Sequence, residues 1–186
     1  MLLSKEILVM PGAYDCISAK LIEKAGFRAA QCTGYGIAAS RIGKPDVGIL
    51  SVDVMLDATR NICHAVDIPV MADGDTGFGN VVNVWDTVIR FEEAGAAGIN
   101  LEDQVFPKRC GHMNGKQVIS SEEMVEKIKA ARYAAYQGTI KALNIMKKEG
   151  IAPSAHHPEM LCSFEEFTDT IGLSEIEKIR AMFTEK

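Results

Sequence analysis

Nothing in this sequence approaches the roughly 20 consecutive apolar residues of a membrane span. Met1 to Glu6 is too short and too mixed in character for a secretory or transit peptide, so a cytoplasmic location and no membrane partner are expected. Paired cysteines are missing as well. The five at 16, 32, 63, 110 and 162 are odd in number and contain no CxxC, which suits free thiols in a reducing compartment rather than a disulfide frame. There is no basic stripe. The lysines are scattered and the net charge is -5, which excludes a nucleic-acid surface and means that local cations or a metal must attract a small anionic substrate. The chain also lacks a GxGxxG dinucleotide fingerprint and any low-complexity tract.

What is present is the composition of a globular domain, 47% hydrophobic and 24% charged over 186 residues. Short apolar runs alternate with amphipathic stretches about every 30 residues, the rhythm of βα units in a parallel α/β sheet. Four units are expected. Ile7–Met10 reads as the first strand, followed by a helix that Asp15 caps and Gly26 ends after Ala25. Ala29–Thr33 is the second strand, and Gly34–Gly48 reads as a loop before a helix from Ser51 to about Ala65. Pro69–Asp73 is the third strand. Asn80 caps a helix with Val81, Val84, Trp85, Val88 and Ile89 on one face, Gly95 closes it, and Gly98–Leu101 is the fourth strand.

Ser120 and Glu123 have capping-box spacing and open a long helix, Ser121 to Glu149, with Gly138 its one weak point. Ile151–Pro158 reads as a linker, and the pairs Ser163/Glu166 and Ser174/Glu177 each begin a short terminal helix. The expected division is a (βα) domain over 1–150 and a helical extension over 151–186.

Acidic clusters follow two of the strands directly: Asp73-Gly74-Asp75-Thr76-Gly77 and Leu101-Glu102-Asp103. Parallel α/β proteins place their chemistry at such strand ends. Asp73, Asp75 and Glu102 would repel one another unless a cation lay among them, and oxygen ligands favour magnesium, with manganese as a substitute. Capping of the next helix explains the same aspartates equally well. Cys110 lies among Lys108, Arg109 and His112, cations that favour a thiolate able to act as nucleophile or proton donor. An ordinary loop cysteine with basic neighbours is the other reading. Zinc is disfavoured because Cys110 and His112 have no second pair at ligand spacing. Thr33-Gly34-Tyr35-Gly36 offers either an anion-binding backbone or a plain turn. Asp46 is either a turn residue or a lid carboxylate. His64 reads as structural, and His156 and His157 as solvated.

These segments in this order resemble the isocitrate lyase and phosphoenolpyruvate mutase superfamily. The resemblance runs over about Leu8–Ala130 through Pro11-Gly12-Ala13-Tyr14-Asp15, Thr33-Gly34-Tyr35, Pro45-Asp46, Asp73-Gly74-Asp75-Thr76-Gly77 and Leu101-Glu102-Asp103-Gln104. It resumes near Arg132–Gly150 and Phe164–Leu173. Lys108-Arg109-Cys110-Gly111-His112 looks like the signature of the lyase branch, of the 2-methylisocitrate lyase kind.

The resemblance implies a TIM-barrel-like enzyme that needs magnesium and cleaves a carbon–carbon bond in a 2-hydroxy di- or tricarboxylate of the 2-methylisocitrate, isocitrate or dimethylmalate type. Phosphonopyruvate chemistry and oxaloacetate decarboxylation are the neighbouring activities. It assigns Asp73, Asp75 and Glu102 to the metal, and Tyr14, Thr33, Gly34, Tyr35 and Asp46 to substrate. Cys110 becomes the catalytic acid, accompanied by Lys108, Arg109 and His112.

A complete (βα)8 barrel needs about 200 residues or more, so only four βα units are expected here. The sequence passes from the helix after Cys110 into what resembles the family's last barrel helix near Ala130–Tyr133. Two further expectations follow from an open sheet: an uncovered apolar face with unpaired edges that favours a homo-oligomer, and a non-catalytic binding or assembly module as the alternative to an enzyme.

Overall fold

The computed structural model describes residues 6–148, without the side chains of residues 139–147. The expected linker, the terminal helices, His156, His157, Cys162 and the boundary at 150 fall outside the described residues. Four parallel strands lie in sequence order: β1 (Gly12–Ala13), β2 (Ala30–Cys32), β3 (Val70–Asp73) and β4 (Gly98–Asn100). The helices are α1 (Cys16–Lys24), α2 (Gly34–Ile42), α3 (Val52–Ala65), α4 (Val81–Glu93) and α5 (Ser121–Lys148). This is an incomplete α/β arrangement of the barrel type, as the sequence implies.

Helix ends form where side chains can satisfy the free backbone groups. Asp15 accepts from the Ser18 amide at 2.7 Å, Ser51 caps α3, and Asn80 with Asn83 forms a capping box at α4. The Ser120 hydroxyl accepts from the Glu123 amide at 3.1 Å as α5 begins. Gly26 and Gly95, with φ of 87° and 96°, turn the chain out of α1 and α4 in the left-handed region.

Strand register sorts the two faces of the sheet. Ala13, Cys32, Val70, Ala72 and Ile99 point toward a core shared with Ile22, Met55, Leu56, Ile62 and Phe91 from the helices. A second cluster joins α4 to α5 through Val84, Val88, Ala130 and Ala134, with Trp85 and Ile89 packed beside them.

Three expectations are corrected. The apolar run Ile7–Met10 is not the first strand: Ile7 and Val9 are 89% and 56% exposed. The ladder forms later because Gln31 donates to the Pro11 carbonyl and Thr33 to that of Ala13, so pairing with β2 rather than hydropathy decides the position. Gly34–Ile42 is a helix, not a loop. Thr33 caps it, Ile37 and Ala38 bury beneath it, and Gly43 at φ 60° ends it.

The open face is not apolar. The same register that buries Ala13 and Cys32 puts Gly12, Gln31, Met71, Asp73, Gly98 and Asn100 on the other side, half-buried or exposed, with the Asn100 amide bonded to Gln31 at 3.1 Å. Among the described residues no helix is long and apolar enough to cross a membrane.

Phe91, 1% exposed, is among the largest fully buried side chains in the core. Phe91→Ala is expected to destabilise the fold by about 3–5 kcal/mol through lost burial and a residual cavity, measured as a lower urea midpoint at unchanged slope.

Candidate active site at the strand ends

Parallel strands deliver their C-terminal ends to one edge of the sheet, and the predicted site residues are attached there. Tyr14 follows β1, Thr33 follows β2, Asp73 ends β3, and Glu102 follows β4. Backbone bonds lock these ends together. Gly74 donates to the Asn100 carbonyl at 2.9 Å and Glu102 to the Asp75 carbonyl at 2.7 Å.

Asp73 organises its surroundings through both oxygens. Oδ2 accepts from the Gly34 amide at 2.8 Å and Oδ1 from the Asp75 amide at 3.0 Å. A side chain at Gly34 would bring Cβ within 2.6 Å of Asp73 Oδ2, so glycine is required by this approach. The Gly34 amide, expected to grip a substrate carboxylate, is held by Asp73.

The loop after β3 carries two non-glycine residues in the left-handed region, Asp75 (φ 48°) and Phe78 (φ 58°). External bonds hold it in place. Besides the Glu102 amide on the Asp75 carbonyl, buried Lys127 of α5 donates to the Thr76 carbonyl at 3.2 Å, and Thr87 donates to that of Gly77 at 3.2 Å.

The strongest electrostatic feature is an ion triad. The Lys108 ammonium, 2% exposed as a residue, lies 2.7 Å from Asp46 Oδ2 and 2.6 Å from Asp75 Oδ1. Both carboxylates are buried as well. Burial pushes Asp75 up to about 6, with Asp73 and Asp46 adding to the rise and Lys108 opposing it. For Lys108, burial acts to lower the value, but the Asp46 hydrogen bond and the close carboxylate charges of Asp46 and Asp75 outweigh it and hold the ammonium above the usual lysine range.

The Lys108 ammonium is therefore not free, being held by Asp46 and Asp75. Nor does the Arg109 guanidinium point freely, since it donates to the Asn114 carbonyl at 3.2 Å. His112 is exposed and Cys110 half-buried. The Cys110 segment reaches the cluster through its backbone, the amide donating to the Asp46 carbonyl at 2.9 Å. Tyr14 and Tyr35 are 42% and 61% exposed at the rim, and Thr33 Oγ1 accepts from the Gly36 amide. A cleft of about 500 Å³ beside this edge is lined by Glu102, Gln104, Gly111 and Lys116, among others.

Among the described residues no three Cys, His, Asp or Glu side chains are gathered as a ready metal cage. The Glu102 carboxylate is turned to the amide of Gln104. The donors nevertheless fit a hard cation. Asp75 Oδ1 is buried without a well-directed hydrogen bond despite its nearness to Lys108, and the charges of both Asp73 and Asp46 act on Asp75. Magnesium takes only one or two protein carboxylates and keeps its waters.

Two contacts escaped sequence reasoning. The Asp46–Lys108 pair spans 62 positions and leaves no local pattern. Gln104 sits inside a recognised motif but gave no sign of what its side chain would bridge.

A profile of the phosphoenolpyruvate phosphomutase family matches residues 1–145. The chain is 53% identical over 131 residues to 2,3-dimethylmalate lyase of Eubacterium barkeri, covering 70% of this chain and 45% of that protein. It is 40% identical over 177 residues to 2-methylisocitrate lyase of Halalkalibacterium halodurans, covering 87% and 58%. Among solved structures, a phosphonopyruvate hydrolase in complex with oxalate and magnesium superposes with a TM-score of 0.63 at 40% identity, over 69% of this chain and 44% of that one. The chain thus spans about half the length of the curated relatives it matches.

Asp75 is harder to ionise folded than unfolded, so its contribution to stability is complete below about pH 4 and is lost as pH rises through about 6. A shift of this size corresponds to at most about 3 kcal/mol. Urea titrations from pH 4 to 7 in metal-free buffer should show this loss in the wild type and lack that component in Asp75→Asn.

Proposed function

This chain belongs to the phosphoenolpyruvate phosphomutase family, and we propose that its strand-end cluster serves carbon–carbon bond cleavage in a 2-hydroxy di- or tricarboxylate. The substrate proposed is of the 2-methylisocitrate, isocitrate or dimethylmalate type, and the products are a 2-oxo acid and a second carboxylate. The similarity to 2,3-dimethylmalate lyase and 2-methylisocitrate lyase supports this class, as does the Lys108–His112 segment. The observation that carries the reading is the bond from the Cys110 amide to the Asp46 carbonyl, which ties the segment bearing the half-buried thiol to the residue paired, through Lys108, with Asp75.

The proposed step balances simply. The substrate hydroxyl gives its proton to solvent water, its oxygen electrons form the new carbonyl, and the electrons of the carbon–carbon bond pass to the departing fragment. Cys110 gives that carbanion its proton and becomes a thiolate. Asp73 and Asp75, with Glu102 beside them, are the residues proposed to hold magnesium, which would stabilise negative charge on the substrate oxygens. The solved phosphonopyruvate hydrolase carries magnesium with oxalate, and that pairing supports the assignment.

Lys108, held among carboxylates, and Arg109 and His112 on the same loop are proposed to stabilise the carboxylates and the developing charge. Tyr14, Thr33, Gly34, Tyr35 and Asp46 are proposed to border the substrate.

The test is incubation of the full chain with 2-methylisocitrate, isocitrate, 2,3-dimethylmalate and oxaloacetate, with and without magnesium, following pyruvate and glyoxylate. Release of a 2-oxo acid is expected only with magnesium. Cys110→Ser should lose about 100-fold or more in turnover while retaining magnesium binding by calorimetry; unchanged turnover would remove the thiol from the mechanism. Silence on every substrate from a folded sample would instead favour a non-catalytic binding or assembly role.

A further inference from the structure

Gln104 lies four residues beyond β4 and is 7% exposed. Its backbone is anchored on the far side: it bridges Val118 in antiparallel fashion, Val105 donates to the Gln117 carbonyl at 2.8 Å, and Ile119 to that of Asp103 at 2.8 Å. The side chain therefore projects from a fixed post.

Both ends of its carboxamide are engaged. Oε1 accepts from the Arg109 amide at 3.1 Å, while Nε2 donates to the Arg109 carbonyl at 2.8 Å and to Glu102 Oε2. The orientation is dictated by the partners: a backbone amide needs an acceptor, and a carbonyl and a carboxylate need donors. Few side chains can replace it. Glutamate would set a second negative charge against Glu102, lysine offers no acceptor, and methionine offers neither function.

Cys110 follows Arg109 directly in the chain. One buried amide thus joins a carboxylate at the tip of β4 to the peptide that carries the thiol. If Glu102 moves, Gln104 must follow or lose a charge-assisted bond, and the Arg109 peptide loses its brace with it.

We propose that Gln104 is a positioning residue that ties the Glu102 carboxylate to the Cys110 loop, so that a cation taken up at the carboxylate cluster is felt at the thiol. The consequence for catalysis rests on the function proposed above. The tie itself does not, because it exists among side chains and backbone without any ligand.

Cys110 alkylation by iodoacetamide, resolved from the other cysteines by peptide mass spectrometry, reads the tie. Wild type, Glu102→Gln, Gln104→Met and the double variant are compared as full chains without metal. Each single change is expected to speed Cys110 modification about threefold or more, and the double change to add little, as groups in one network are non-additive. Rates that multiply independently overturn the proposal. Gln104→Glu, which keeps the shape and the Arg109 amide bond but repels Glu102, is expected to behave like Gln104→Met; a wild-type rate in that variant also overturns it.

Magnesium chloride is then added. The wild-type Cys110 rate should change with magnesium and the Gln104→Met rate should not. An equal response in both defeats the coupling. Absence of any magnesium binding by the wild type counts against the metal-dependent function, while the metal-free comparison still decides whether the tie exists.

Discussion

A buried ammonium between two buried carboxylates organises this molecule's active edge. Charges removed from water are tolerated only when closely paired, and Lys108 meets that demand by reaching Asp46 and Asp75 at once. Three separate chain segments, before α3, after β3 and after β4, must then converge. The convergence in turn fixes where the Cys110 backbone can run, because its amide bonds to Asp46. The fold supplies the strand ends, and the ion triad sets how the intervening loops drape over them.

The same arrangement explains why the cluster is electrostatically unfinished. Burial is the main cause of the upward pressure on Asp75, and Asp73 and Asp46 add to it while the single ammonium of Lys108 opposes it. A site that already held perfectly balanced charge would have little attraction for a cation. Glu102, whose amide bonds to the Asp75 carbonyl, lines a cleft together with Gln104, and burial strengthens the interactions within the triad.

Much of the architecture was legible because its causes are local. Asp15, Ser51 and Asn80 announce helices through side chains that serve amides two or three residues away, and Gly26 and Gly95 mark helix ends. The acidic clusters could be placed at strand ends because parallel strands share one direction. Local reasoning failed where a distant partner decides the outcome. Ile7–Met10 has the look of a strand, yet β2 pairs further along. The glycines at 34 and 36 suggest a loop, yet they are small because Asp73 and Tyr14 press close to a helix. Lys108 reads as a free cation of the Cys110 loop until its ammonium is seen to be held by Asp46 and Asp75.

The left-handed backbone at Asp75 has an evolutionary corollary. Few amino acids sit comfortably there: glycine, asparagine and aspartate do, longer acids much less so. Of that short alphabet only one member carries a negative charge. Drift at this codon therefore has no graded path, since exchanging one acid for the other already violates the shape of the chain. The geometry of the main chain polices the identity of the side chain before any chemistry is asked of it.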